Sequence, residues 1–236
     1  AGRKFVDVSS IDWKEIDFAF LALHGTHGED GSIQGLLEWY GIPYSGSGIL
    51  PSALGINKAI QKDFQTTAGL FVNEFNTIDK KSWFEASEND RKRLFVQFNI
   101  EFGEQFVIKP ALRGSSLGVS ILKQPDFQEF CDAINLAFFH LSLHQKAWQQ
   151  MDNEAKVIYI KQLTDVRSGL GLPLIADGQV FHLPDALMDY IDKTLQTTAH
   201  IDLQAMDSES VVLIESLIQG KEFSCIVVAD EKGVPF

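Results

Sequence analysis

The sequence predicts an α/β layer with a parallel sheet, followed from about residue 75 by an α+β domain. Three observations lead there. Before residue 75, short apolar strand candidates alternate with helical patterns, the arrangement of a parallel sheet. Beyond it, strands come in close pairs around glycine turns, at 106–120 and 211–228, as in hairpins. With 236 residues, 45% of them hydrophobic and 22% charged, the chain has the composition of a globular protein with a sizeable core.

The elements follow in order. Residues 17–23 (Asp-Phe-Ala-Phe-Leu-Ala-Leu) form a buried strand candidate that runs into a loop punctuated by Gly25, Gly28 and Gly31. Ser32 is placed to cap a helix through Tyr40, stopped at Gly41. Ile42-Pro43-Tyr44 reads as a short extended piece before the turn Ser45-Gly46-Ser47-Gly48. Asn57 suits the N-cap of a helix through Ala68, with Gly69 just past its end and a strand at 70–73. A charged helix spans 89–102 and ends at Gly103, and Asp126 opens a long amphipathic helix to about Met151. Pro184-Asp185 open a helix at 186–195. Strands at 211–215 and 223–228 flank a turn at Gly220, and residues 230–233 read as a hairpin turn.

Bulk properties narrow the function. A formal net charge of −12 disfavours nucleic-acid and anionic-membrane partners, since association would begin against repulsion. A locally positive cleft for a nucleotide remains compatible with it. Cys131 and Cys225 stand in no metal-ligand spacing, which points to a reduced, cytoplasmic compartment. The apolar run 18–23 is far too short to span a membrane, and no apolar signal region opens the chain. Neither a Ser-His-Asp arrangement nor a zinc motif is present.

Four segments carry chemistry. Phe106-Val107-Ile108-Lys109-Pro110 closes an apolar strand with a lysine, and Gly114-Ser115-Ser116-Leu117-Gly118 leads into a second strand. Backbone N–H groups of such a loop, with an ammonium at its base, suit a polyphosphate; the glycine loop alone fits an ordinary hairpin turn equally well. A buried Lys109 calls for an anion. Lys58 follows Asn57 at a helix N-terminus, where a cation is disfavoured unless an anion shares the site; a solvated surface lysine is the alternative. The strand 211–215 ends in Glu215, whose carboxylate could accept from a purine amine while Glu222 accepts from a ribose, although polar strand ends are common. His24 and Glu29 could pair across their loop or stand as surface groups, and His27, Asp30, His140, His144, His182 and His200 read as structural or solvated.

In order, His24-Gly25-x-x-Gly28-Glu29-Asp30-Gly31-x-x-Gln34-Gly35-x-x-Glu38, Ile42-Pro43-Tyr44-x-Gly46-Ser47-Gly48-x-x-x-Ser52-Ala53 and Lys58 resemble D-alanine–D-alanine ligases. Lys109-Pro110, Gly114-Ser115-Ser116-x-Gly118-Val119-Ser120, Glu215 and Gly220-x-Glu222-Phe223 extend the likeness into the ATP-grasp domain of that family. The resemblance implies a partial N-terminal substrate-side α/β domain (1–75) and a partial ATP-grasp domain (76–236). It implies ATP and D-alanine as ligands, with magnesium, and a possible homodimer. Lys58 and Lys109 would hold ATP phosphates, and Glu215 with the backbone of Ser216 and Ile218 would hold adenine. Glu222 would hold ribose, and the loop Gly114, Ser115, Ser116, Gly118 would cover the γ-phosphate. His24, Glu29 and Ser115 would position the first D-alanine, whose carboxylate is phosphorylated before the second amine attacks. Such chemistry is positioning and charge neutralisation, without a protein nucleophile.

Three departures set further expectations. The family's opening strand and glycine-rich turn would precede Ala1. Its substrate-covering loop, catalytic arginine and magnesium ligands would follow Phe236, so this chain alone is expected to be an inactive fragment or truncated product. Residues 152–210 stand where the family has a short connection, either as a surface insertion or as a device acting on the second substrate or a partner. D-lactate or D-serine as second substrate, or a non-catalytic nucleotide-binding homologue, are the alternative functions.

Overall fold

The computed structural model describes residues 10–230 and 234. A short 3-10 turn at Trp13–Glu15 precedes α1 (Ser32–Trp39), which starts from Gly31 at φ +92° and is followed by Gly41 at φ +69°. A Cβ on Gly31 would sit 2.8 Å from the carbonyl oxygen of Ile49, so the left-handed turn and the close approach both require glycine. Next come α2 (Ile49–Ile56) and α3 (Lys58–Thr67). The Asn57 side chain caps α3 by accepting from the N–H groups of Ala59 and Ile60, at 3.1 and 3.2 Å.

The chain then forms β1 (Phe75–Asp79), α4 (Lys80–Glu85), α5 (Glu88–Phe102), β2 (Gln105–Pro110), β3 (Ser120–Lys123) and α6 (Phe127–Ala137). Asp79 caps α4, Ser87 caps α5, and Asp126 with Glu129 forms a full capping box on α6. A second group follows: β4 (His140–His144), α7 (Gln145–Gln149), α8 (Asn153–Thr164), β5 (Leu174–Ala176), β6 (Gln179–Phe181), α9 (Pro184–Thr194) and β7 (His200–Ala205). The last described strand, β8 (Val211–Ser216), returns to the first group.

Two antiparallel sheets result, one in the order β1-β8-β2-β3 and the other β4-β7-β5-β6. In the first, Val212, Leu213 and Ile214 of the central β8 are completely buried. Its core is aromatic: Phe130 meets Trp83 and Phe106 edge-on, with Phe98 and Phe95 tilted against it. The second core gathers Phe139, Trp148, Leu174, Leu187, Ile191, Ile201 and Leu203 between its sheet and helices.

The expected mixture of α/β and α+β organisation is borne out, and the parallel part is small. Among the described residues parallel pairing is confined to one bridge, Ala19 to Tyr44, fixed by Ala19 N–H donating to Pro43 and Ser45 N–H donating to Ala19. The expected buried strand at 17–23 is therefore corrected. With one described neighbour it forms no ladder, and Phe18 and Phe20 stand exposed at 56% and 79%. Residues 70–73 likewise belong to no strand, and the strand begins at Phe75.

The long helix expected from Asp126 to Met151 is two helices with a strand between them. Phe138 is buried in the first core and Phe139 in the second, and a continuous helix cannot send two adjacent large rings into separate cores. Phe139 takes φ +54° and redirects the chain into β4, whose Leu141 and Leu143 alternate with Ser142 at strand period. The strand expected at 223–228 is also absent: both edges of β8 are already occupied by β1 and β2, and Phe223 and Ile226 are 86% and 89% exposed. The turn expected at 230–233 falls on residues 231–233, which lie outside the described residues.

Phe130→Ala should destabilise the first core by about 3–5 kcal/mol, the cost of removing a buried aromatic ring. Ile100→Ala, at an 80% exposed position, should shift the urea midpoint little. Denaturation of both variants checks the contrast.

Candidate functional site

Strand register builds the site. On β2, Phe106 and Ile108 point into the first core and Pro110 is buried in the same alternation, so Lys109 faces the other way with Val107. Val107 pairs with Glu215 and Lys109 with Leu213, which places Lys109 and Glu215 diagonally on one face. The Lys109 ammonium donates to Glu215 Oε1. Lys62, one turn after Lys58 on α3, reaches Glu215 Oε2 at 2.9 Å and lies 5.3 Å from the Phe75 ring centroid. Lys62 also donates to Asn73 Oδ1, and Asn73 Nδ2 donates to the Ser216 carbonyl at 2.9 Å.

Burial pushes the Glu215 carboxyl up, but hydrogen bonds from Lys109 and Lys62, reinforced by their charges, hold it below the ordinary carboxylate value. The anion that a buried Lys109 requires is thus supplied by Glu215. Lys58 lies beside the same face. Its backbone N–H donates to the Ala111 carbonyl at 3.0 Å, and its ammonium donates to the carbonyl of Arg113. Burial and the neighbouring Lys109 charge lower the Lys58 ammonium, against the opposing pull of Glu209 and Glu215.

The loop 114–118 borders these lysines. Ser115 and Ser116 are consecutive non-glycine residues in the left-handed region, at φ +53° and +57°. Such strain persists only where the surroundings hold it. The position of Gly118, at φ +66°, favours glycine, since a Cβ there would sit tightly at 3.0 Å from Pro110 and 3.3 Å from the Phe139 ring. The donor set of two ammonium groups beside an exposed glycine–serine loop fits a polyphosphate.

The other expected residues fall around this cluster unevenly. His24 Nδ1 lies 4.0 Å from Glu29 Oε1, so the expected pair is in reach, with the imidazole 91% exposed. Glu29 also accepts from Gly25 N–H at 2.6 Å. Asp30 braces the same loop by accepting from the N–H groups of His27 and Ser32. The Ser216 N–H donates to Glu74 at 3.1 Å. Ile218 and Glu222 lie on the exposed stretch 218–228, which belongs to no strand, outside the lysine cluster. Among the described residues no group of three His, Cys, Asp or Glu is placed to hold a metal ion.

Sequence reasoning missed Lys62, Asn73, Arg113, Asp207 and Glu209. Lys58-x-x-x-Lys62 carried a signal, since that spacing puts both ammonium groups on one helix face. Arg113 forms ion pairs with Asp207 at 3.0 Å and with Glu209 at 3.5 Å, partners far along the chain that no local pattern announces.

The fold is shared with the solved D-alanine–D-alanine ligase of Coxiella burnetii, with a TM-score of 0.53 at 20% identity, covering 93% of this chain and 42% of that one. Residues 4–47 match the family described as D-ala D-ala ligase N-terminus. The D-alanine–D-alanine ligase of Geobacter sulfurreducens is 40% identical over 137 residues, 58% of this chain and 39% of the relative. That of Desulfotalea psychrophila is 44% identical over 112 residues, 48% of this chain and 32% of the relative. The resemblance drawn from the motifs is therefore borne out, and the chain spans less than half the length of these curated relatives. Among the described residues no helix is long and apolar enough to cross a membrane.

Glu215→Gln tests the charge cluster through pH. A depressed folded-state pKa contributes stability that is present above the ordinary carboxylate value and lost as pH falls through the folded value. The variant should be less stable by about 1.5–3 kcal/mol near neutral pH, the range for a hydrogen bond to a charged group, with the deficit shrinking under acid conditions. Urea midpoints of both proteins across the acid range measure it.

Proposed function

We propose that this chain carries the ATP-binding half-site of an ATP-dependent carboxylate–amine ligase that joins two D-alanines for peptidoglycan precursors. The observation that carries the reading is the convergence of Lys58 from α3 and Lys109 from β2 beside the strained loop 114–118. The similarity to D-alanine–D-alanine ligases supports the choice of substrate. On this reading residues 1–75 form the partial substrate-side domain and 76–236 the partial ATP-grasp domain, with 152–210 as an insertion. The protein would act in the cytoplasm, as a homodimer.

ATP would supply the phosphoryl group that activates the first carboxylate; the described residues provide no ligand set for the magnesium that would accompany it. The residues of this chain bind and orient. Lys58 and Lys109 would face the phosphates, and Glu215 would accept from the adenine amine while remaining the shared counter-ion of Lys62 and Lys109. The backbone of Ser216 and Ile218 borders adenine, and Glu222 reaches ribose. Ser115, Ser116 and the glycines 114 and 118 cover the terminal phosphate, and Ser115 with the His24–Glu29 pair positions the first D-alanine. Most of the gain comes from placing the reactants and meeting developing negative charge with fixed ammonium groups.

Lys109→Met should weaken ATP binding by about 2–4 kcal/mol, the loss of a desolvated charge-assisted contact. Isothermal calorimetry checks this, and unchanged affinity would remove Lys109 from the site. For the reaction, release of ADP by the full-length protein should depend on D-alanine. Nucleotide binding without such turnover would favour a non-catalytic homologue, and dependence on D-lactate or D-serine as second substrate would reassign specificity.

A further inference from the structure

The second sheet and its helices, residues 140–205, enter and leave the first domain side by side, for Ala205 N–H donates to the Phe139 carbonyl at 2.9 Å. Both junctions converge on Arg113, the residue just before the glycine–serine loop. The guanidinium carbon lies 4.8 Å from the Phe139 ring centroid. Nη2 is 3.0 Å from Asp207 Oδ2 and also donates to the Asp207 carbonyl, while Nε lies 3.5 Å from Glu209 Oε1. The Arg113 side chain is 14% exposed and that of Glu209 2%. Leu117, inside the loop, packs on the second core. On its backbone side, the Arg113 carbonyl accepts from Lys58. One residue therefore joins the 140–205 unit, the loop and a candidate phosphate lysine.

We propose that the 140–205 unit positions the phosphate loop, with Arg113 as the positioning residue through which it acts. The claim rests on reading 114–118 as that loop. Ser115 and Ser116 hold two consecutive left-handed conformations, which the loop would release if its ends were free. Arg113 fixes one end through a planar fork shared by two carboxylates, and Leu117 with the Gly118–Phe139 contact fixes the other. Arg113 is turned toward Asp207 and Glu209, so it serves ATP through the loop and through Lys58.

Amide hydrogen exchange of the full chain, first without nucleotide and then alongside ATP affinity, tests this. Arg113→Gln should raise exchange across 113–119 about tenfold, the equivalent of one charge-assisted hydrogen bond, while β4 and β7 keep their protection. ATP affinity should fall by a similar factor, and Arg113→Lys should restore only part of both, since an ammonium cannot span the two carboxylates. Unchanged loop exchange, or a loosened loop with unchanged ATP affinity, would overturn the proposal. Should Arg113→Gln unfold β4 and β7, Asp207→Asn decides, because that side chain is 63% exposed and its loss spares the core. Faster loop exchange in Asp207→Asn then supports the proposal and unchanged exchange overturns it. If the wild-type chain does not bind ATP while the loop still loosens in the variants, the ATP reading fails and the anchoring by Arg113 stands.

Discussion

The ionised carboxylate of Glu215, held between Lys109 and Lys62, is the interaction on which the described site depends. It stands 11% exposed near the end of the central strand β8, where a lone carboxylate would be driven to protonate. Two ammonium groups from separate elements keep it charged, and in doing so they bind α3 to the open face of the first sheet. Lys58, four residues before Lys62, is carried to the same face. A chain with a net charge of −12 thus concentrates Lys58, Lys62 and Lys109 around one carboxylate. Removing Glu215 leaves two partly buried ammonium groups without their counter-ion, so both lysines depend on it.

A second constraint joins the two cores. Adjacent Phe138 and Phe139 belong to different hydrophobic clusters, and the backbone turns between them at a left-handed residue. The same Phe139 ring lies under Arg113 and beside Gly118. Packing of the second core is thereby felt at the loop that borders the lysines. Burial raises the Glu209 carboxyl even beside Arg113, while Asp207 is lowered because the hydrogen bond and charge of Arg113 outweigh its burial. The outer of the two carboxylates therefore carries the firmer charge of the anchor.

Local features were legible in the sequence because their physics is local. Asn57 caps α3, Gly103 follows α5 at φ +76°, and Pro184 opens α9, each set by side-chain hydrogen bonding or backbone freedom within a few residues. Lys58, Lys109 and Glu215 were legible as candidates because a charge at the end of an apolar strand or at a helix start demands an explanation. What failed was non-local. The continuous amphipathic pattern after Asp126 hid the change of core at Phe138–Phe139, and the apolar runs at 17–23 and 223–228 lack described strands to pair with. Arg113 drew no attention because its meaning lies in Asp207 and Glu209, brought to it only by the folding of the unit between them.

The central proposal, that Lys58 and Lys109 together hold nucleotide phosphate, is most directly tested by lysine-reactivity footprinting. Acetylation of the full chain, read by mass spectrometry, should show ATP suppressing modification of Lys58 and Lys109 while the exposed Lys81 reacts as before. Equal modification of all three lysines with and without ATP would contradict the account.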